Sequence, residues 1–273
     1  MAPKVTVPEV RSRKRAAGAQ PVVMFTAYDT PGARIADAAG VDVILVGDSV
    51  ANTVLGHEHT FQIDIGVMAH HVGAVGRARP RALVVGDLPW LSYHLSAEDT
   101  VRNAATLVRA GAEAVKLEGG RVRVPMIEAL VAAEIPVVGH LGLTPQSVHA
   151  LGGYKVQARQ AAAADTLLDD AKAITAAGCF AIVLEGMPDV VAARVTAEVD
   201  VPTIGIGAGA GCDGQVLVFH DVLGLSPGPG PKFVRRYVDL QAVAVEAVSA
   251  WAADVRSGAF PSEAETYHLP GSA

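Results

Sequence analysis

Eight short apolar runs, separated by helix-forming stretches, constrain this 273-residue chain more than any other feature. They cover residues 22–26, 43–47, 82–86, 114–117, 136–139, 181–184, 203–206 and 215–219. Rich in Val, Ile and Leu and lacking polar alternation, they read as strands buried on both faces, as in a parallel sheet covered by helices. Helices are expected between them, over 31–39, 63–77, 97–110, 121–133, 161–177 and 189–199. Thr30 before Pro31, and Ser96 followed by Asp99, carry the chemistry of helix starts. Ala-Gly endings at Gly40, Gly111 and Gly178 suit the left-handed residue that closes a helix.

The repeat is strand, loop, helix and glycine, and eight such strands in one chain of this length predict a closed (β/α)8 TIM barrel. A doubly wound open sheet shares the same local grammar. The barrel is expected as a single domain over residues 1–273, with its core at about 20–257 and extra N-terminal and C-terminal helices. The loop-like stretch 226–231 leads into a helix expected over 232–256, packed outside the barrel or against another subunit; the tail 261–273 is expected to be loose.

Composition narrows the ligands. A hydrophobic content of 51% supplies one large core, while a net charge of −6 and 5% aromatic residues leave no basic footprint for nucleic acid or anionic membrane. Small molecules are the expected partners. Cys179 and Cys212 make no disulfide framework or CxxC motif and read as packing residues in a reducing compartment. The basic patch from Arg11 to Arg15 precedes no apolar segment, so a secretory signal is not expected; with no membrane-length apolar run, the expected address is cytoplasmic.

Barrel active sites form at the C-terminal ends of the strands. There the chain carries Tyr28-Asp29, Asp48-Ser49, Asp87, Lys116 and Glu118, His140 and Glu185. Any one acid in such a place serves equally well as the cap of the next helix. Asp48, Asp87 and Glu118 together would crowd like charges into one mouth, which a hard divalent cation resolves. All-oxygen ligation with room for water and substrate favours Mg²⁺, with Mn²⁺ or Co²⁺ as substitutes. Lys116 and Glu118, two apart on a strand, share a face. Glu185, beside apolar neighbours, suits a general base.

Other patterns carry less. The glycine run 205–211 formally contains a dinucleotide-type spacing but leads into a strand and lacks the later acid, so it reads as a tight turn. His57 and His59, and the adjacent His70 and His71, lack a full zinc ligand set.

The stretches Thr26-Ala-Tyr-Asp29, Leu45-Val-Gly-Asp-Ser49, Asp87-Leu-Pro89, Val115-Lys-Leu-Glu-Gly-Gly120, Gly139-His-Leu-Gly-Leu-Thr-Pro-Gln-Ser147, Gly152-Gly-Tyr-Lys-Val-Gln157 and Ile204-Gly-Ile-Gly-Ala-Gly209 resemble the ketopantoate hydroxymethyltransferase family, in order from about residue 6 to residue 261. The resemblance implies a (β/α)8 barrel that moves a hydroxymethyl group from 5,10-methylenetetrahydrofolate to 3-methyl-2-oxobutanoate through a metal-stabilised enolate, in pantothenate and coenzyme A synthesis. It also implies Mg²⁺ and a homo-oligomer, commonly a decamer. By motif, Asp48, Asp87 and Glu118 match the metal-site acids, some acting through water. Asp48, Ser49, Asp87 and Lys116 match the oxo-acid contacts, Glu185 the proton acceptor, and His140 a polar residue of the pocket, grouped with Glu185 and Lys116 as catalytic. No motif singles out residues for the folate.

Two rivals remain. A Mg²⁺-dependent 2-oxo-acid lyase or mutase of the phosphoenolpyruvate mutase and isocitrate lyase type would carry a lid with a nucleophilic Cys or Asp, and no KxCGH-like segment is present. A non-catalytic oxo-acid-binding barrel fits poorly with the intact set Asp48, Asp87, Lys116, Glu118 and Glu185.

Overall fold

All eight apolar runs form strands in the computed structural model, which describes residues 3–14 and 19–269. Arg15 of the basic patch and residues 270–273 of the tail lie outside the described residues. The strands are β1 (Val22–Thr26), β2 (Val43–Val46), β3 (Leu83–Asp87), β4 (Ala114–Glu118), β5 (Val137–Gly142), β6 (Ala181–Glu185), β7 (Thr203–Ile206) and β8 (Gly214–Leu217). Each pairs in parallel with the next, and β1 pairs with β8, so the sheet closes in sequence order. Closure excludes the open-sheet alternative.

The absence of alternation has the expected cause. Along each strand one set of side chains faces the barrel interior and the other the surrounding helices, and both sides are apolar. Val43, Leu45, Leu83, Val85, Ala114, Val138, Ala181 and Val183 fill the interior. Ile44, Val46, Val84, Val115, Leu117, Ile182 and Leu184 belong to the outer layer with helix residues such as Val72, Leu107 and Ile174. The period of two then aims the polar strand ends inward: Leu83 and Val85 lead to Asp87, Ala114 to Lys116 and Glu118, Val138 to His140, and Val183 to Glu185.

The opposite end of the barrel is plugged by the helix Val7–Ser12, capped by Thr6. Val5 and Val10 join the interior cluster, and Lys4 Nζ donates to the carbonyl of Ala82 at 2.7 Å.

Two helix boundaries differ from expectation. The cap of the helix Thr30–Ala38 is Asp29, whose Oδ1 accepts from Gly32 N at 2.7 Å, while the Thr30 hydroxyl donates to the carbonyl of Ala74. One turn of 3₁₀ helix, Arg121–Arg123, precedes the helix Val124–Ala132. Cys179 and Cys212 are both free and buried, as expected of packing residues.

A first compact unit ends at Phe219 and a second begins at His220. In the second, the long helix runs Leu240–Ser257, starting eight residues later than the composition suggests. Its N–H donors are the reason: Tyr237 N is spent on Val222 O at 2.9 Å, and the Asp239 carboxylate accepts from Ala242 N, which makes Asp239 the cap. Among the described residues no helix is long and apolar enough to cross a membrane.

Candidate active site

The strand ends line a cavity of about 110 Å³ that contains Asp48, Ser49, Asp87, Lys116, Glu118, His140 and Glu185. All seven residues given catalytic, substrate or metal roles are therefore brought to it, whereas Tyr28 and Asp29 do not line it. In-register pairing does most of this work, since Asp87 lies opposite Lys116, Glu118 opposite His140, and Gly142 opposite Glu185. Asp48 and Ser49 arrive one turn beyond β2.

The side chains form a continuous chain of charges. Lys116 Nζ lies 2.8 Å from Asp87 Oδ1, and Asp87 Oδ2 accepts from the backbone N–H of Asp48 at 3.0 Å. Lys116 Nζ is also 3.2 Å from His140 Nδ1, which is 3.4 Å from Glu118 Oε1. On its other side, His140 Nε2 lies 3.1 Å from Glu185 Oε2. All but Glu185 are almost fully buried; the Glu185 side chain is 16% exposed, which leaves the base candidate within reach of a ligand.

Burial in such company shifts the protonation equilibria. Asp48 is pushed up to about 8, first by burial and then by the charges of Asp87 and Glu118. Asp87 is raised by burial, against the pull of Lys116. Burial opposes the charge on Lys116, yet Asp87, Glu118 and Asp48 outweigh it and hold the ammonium more firmly than usual. Burial and Lys116 likewise oppose a proton on His140, but the nearby carboxylates of Glu118 and Glu185 prevail and lift it to about 9. Nδ1 sits between an ammonium and a carboxylate; it can serve Glu118 only when protonated and accept from Lys116 only when not. Two flanking carboxylates against one cation favour the protonated ring.

Four carboxylates thus face one lysine and one histidine, and the site is short of positive charge. Asp48 offsets only part of the deficit by holding its proton more firmly than usual, and Glu118 Oε1 accepts no well-aligned hydrogen bond despite its burial. Both features suit a divalent cation at the rim. Among the described residues no three His, Cys, Asp or Glu side chains are grouped so that all could touch one ion. A magnesium-like ion does not need them to, because it is usually held by one or two carboxylates and keeps several waters.

Residues 4–263 match the model of the family described as ketopantoate hydroxymethyltransferase. The chain belongs to that family. It is 56% identical over 267 residues to 3-methyl-2-oxobutanoate hydroxymethyltransferase 2 of Bradyrhizobium diazoefficiens, covering 98% of this chain and 90% of the relative. It is 57% identical over 249 residues to 3-methyl-2-oxobutanoate hydroxymethyltransferase of a Methylobacterium species, covering 91% and 86%. A solved structure, 2,3-dimethylmalate lyase of the PEP mutase/isocitrate lyase superfamily, superposes with a TM-score of 0.59 at 16% identity, covering 96% of this chain and 91% of that one. That likeness shows the shared barrel fold alone.

Some residues of this hydroxymethyltransferase-family chain settle elsewhere. Asp29 caps a helix, the alternative that any strand-end acid carries, while Tyr28 donates or accepts across 2.8 Å with Ser49. His59 stacks on Phe61 with ring centres 4.8 Å apart, and His71 Nδ1 meets the carbonyl of Tyr28 at 2.7 Å. Buried polar residues that touch the site went unassigned in the sequence, among them Thr26 and Thr60, which line the cavity, Gln146, which bonds to the Asp48 carboxylate, and Tyr93, which bonds to the backbone of Glu118. Gln146 lies inside a family motif, which was a signal; nothing local marked Tyr93.

Proposed function

We propose that this chain transfers a hydroxymethyl group from 5,10-methylenetetrahydrofolate to 3-methyl-2-oxobutanoate, giving ketopantoate. The observation that carries this reading is the convergence of an accessible carboxylate, a buried lysine and three further acids on one cavity of about 110 Å³. That volume is well below the roughly 300–1,000 Å³ of sites for drug-sized ligands and suits a five-carbon acid. The donor's fused rings would therefore remain outside this cavity.

Asp48 and Asp87, with Glu118 through water, would hold the divalent ion, Mg²⁺ by its oxygen preference and Mn²⁺ or Co²⁺ as substitutes. When bound, that ion withdraws charge from the 2-oxo group and so acidifies C3. Ser49 and Lys116 bind and orient the oxo acid. Glu185 takes the C3 proton, and the C3–H electron pair goes into the new bond from C3 to the one-carbon unit. A water supplies the oxygen of the product hydroxyl, both bonds from the one-carbon unit to the folate nitrogens break, and the two water protons and the C3 proton end on those nitrogens and the hydroxyl as tetrahydrofolate leaves. Lys116 offsets the negative charge that grows on the substrate as the proton departs, and His140 holds Glu185 in place from the interior side.

The same reading includes a cytoplasmic address and a homo-oligomer, a decamer by the family likeness. Light scattering on the purified protein measures the assembly. For the chemistry, protein, Mg²⁺ and 3-methyl-2-oxobutanoate are incubated in D₂O and the C3 hydrogen is followed by NMR. Exchange without folate, and ketopantoate formation once 5,10-methylenetetrahydrofolate is added, are expected. Absence of both would end the proposal.

A further inference from the structure

Gln146 contacts two of the rim acids from a third strand's loop, Asp48 through its side chain and Glu118 through its backbone N–H. It sits in the turn Pro145–Ser147 that follows β5. Its Nε2 donates to Asp48 Oδ2 at 2.8 Å and to the carbonyl of Leu88 at 3.0 Å, and its backbone N–H donates to Glu118 Oε2 at 3.1 Å. Its Oε1 accepts from the Tyr93 hydroxyl at 2.6 Å, and the same hydroxyl accepts from Glu118 N at 3.2 Å. Both residues are buried, at 5% and 1% exposure.

The amide orientation is set by its surroundings. Reversed, its oxygen would face the carbonyl oxygen of Leu88, and two acceptors would meet there. Tyr93 is itself held by the Arg123 guanidinium, 5.4 Å from its ring centre. Each acid therefore has one oxygen committed to this frame, Oδ2 of Asp48 to the side-chain amide of Gln146 and Oε2 of Glu118 to its backbone N–H, so one residue contacts both carboxylates.

We infer that Gln146, backed by Tyr93, is a positioning residue that fixes the spacing of Asp48 and Glu118 and thereby the size of divalent ion accepted at the rim. The inference rests on the proposed cation site. Groups that orient carboxylate ligands through hydrogen bonds typically change metal affinity about 10–100-fold when removed. A small ion that demands near-ideal octahedral geometry suffers more from loosened carboxylates than a large one that tolerates irregular ligands. Gln146 and Tyr93 thus favour Mg²⁺ over Ca²⁺ without touching either.

The test titrates Mg²⁺ and Ca²⁺ calorimetrically into the full chain with saturating 3-methyl-2-oxobutanoate, for the wild type, Gln146→Met and Tyr93→Phe. Gln146→Met keeps the side-chain length and removes both amide functions; Tyr93→Phe keeps the ring and packing. Metal-free melting curves check the fold of each. For Gln146→Met the Mg²⁺ Kd is expected to rise about 10–100-fold, with the Ca²⁺ Kd within about threefold of wild type. Tyr93→Phe should move the ratio the same way by a smaller factor. Equal weakening of both ions, or no change in either variant, would overturn the inference while leaving the cation site standing. Failure of the wild type to bind Mg²⁺ at all would remove the site and this inference with it.

Discussion

His140 Nε2 lies 3.1 Å from Glu185 Oε2, joining the end of β6 to the polar row that β4 and β5 bring inward. Glu185 is held on its buried side and keeps a partly open face toward the cavity, the arrangement a proton acceptor needs. Glu185→Gln should retain the contact's shape and lose the basicity. Exchange of the C3 hydrogen in D₂O is expected to fall by at least about 10²-fold, while 3-methyl-2-oxobutanoate still binds in a calorimetric titration. An exchange rate equal to wild type would take Glu185 out of that role.

Asp48 predicts how stability depends on pH when no cation is bound. Its folded-state pKa of about 8 stands above the ordinary 3.8, so between those values the native chain holds a proton that the unfolded chain has released. Stability linked to Asp48 is thus complete below about pH 4, declines as pH rises, and levels off above about 8. His140, raised from 6.5 to about 9, contributes in the same direction over the upper part of that window. In EDTA, urea midpoints for wild type minus Asp48→Asn should decrease from pH 5 to pH 8. Added Mg²⁺ should flatten that decline, because a cation can replace the proton. A difference that grows with pH in EDTA would contradict the assignment.

The pair Lys116 and Asp87, 2.8 Å apart and buried, is predicted to be strongly coupled. Removing only the cation, as in Lys116→Met, leaves Asp87 uncompensated, and breaking such a pair costs about 3–5 kcal/mol. Replacing both, as in Lys116→Met with Asp87→Asn, removes the charge mismatch. The double variant should therefore be less destabilised than the sum of the two single variants in urea unfolding with EDTA. Simple additivity would mean that the two groups do not share one electrostatic balance.

The barrel and most of its site were legible because both follow from short-range rules. Apolar runs without alternation marked the strands, and the period of two placed Asp87, Lys116, Glu118 and Glu185 on the interior side once the interior was known. His140 read as a residue just past its strand; pairing with β6 instead extends β5 through it to Gly142. Caps were less legible, since Asp29 and Thr30 are neighbours of equal aptitude and only the contact with Gly32 N separates them. Gln146 was not legible in its role. It meets Asp48 from 98 positions away and Tyr93 from 53, and no local pattern encodes a contact that closure of the barrel creates.

Gly142 offers a test of how closely the backbone around Glu185 is fitted. Its φ of +95° lies in the region that side chains disfavour, and a Cβ there would overlap the carbonyl oxygen of Glu185 and approach Met187 Cε to 2.6 Å. That carbonyl accepts from Leu143 N at 2.8 Å, so it cannot move aside without losing a β5–β6 bond. Gly40 has a similar φ of +81° but nothing within 4 Å of its Cβ position, and it lies before β2, whereas the site residues Asp48 and Ser49 follow that strand. Gly40→Ala should therefore cost only the conformational penalty of about 1–2 kcal/mol and leave C3 exchange unchanged. Gly142→Ala should add a steric cost of about 1–3 kcal/mol and slow exchange as Glu185 is displaced. Unfolding curves and exchange rates measured side by side separate the two, and equal exchange in both variants would show that the β5–β6 junction does not position the base.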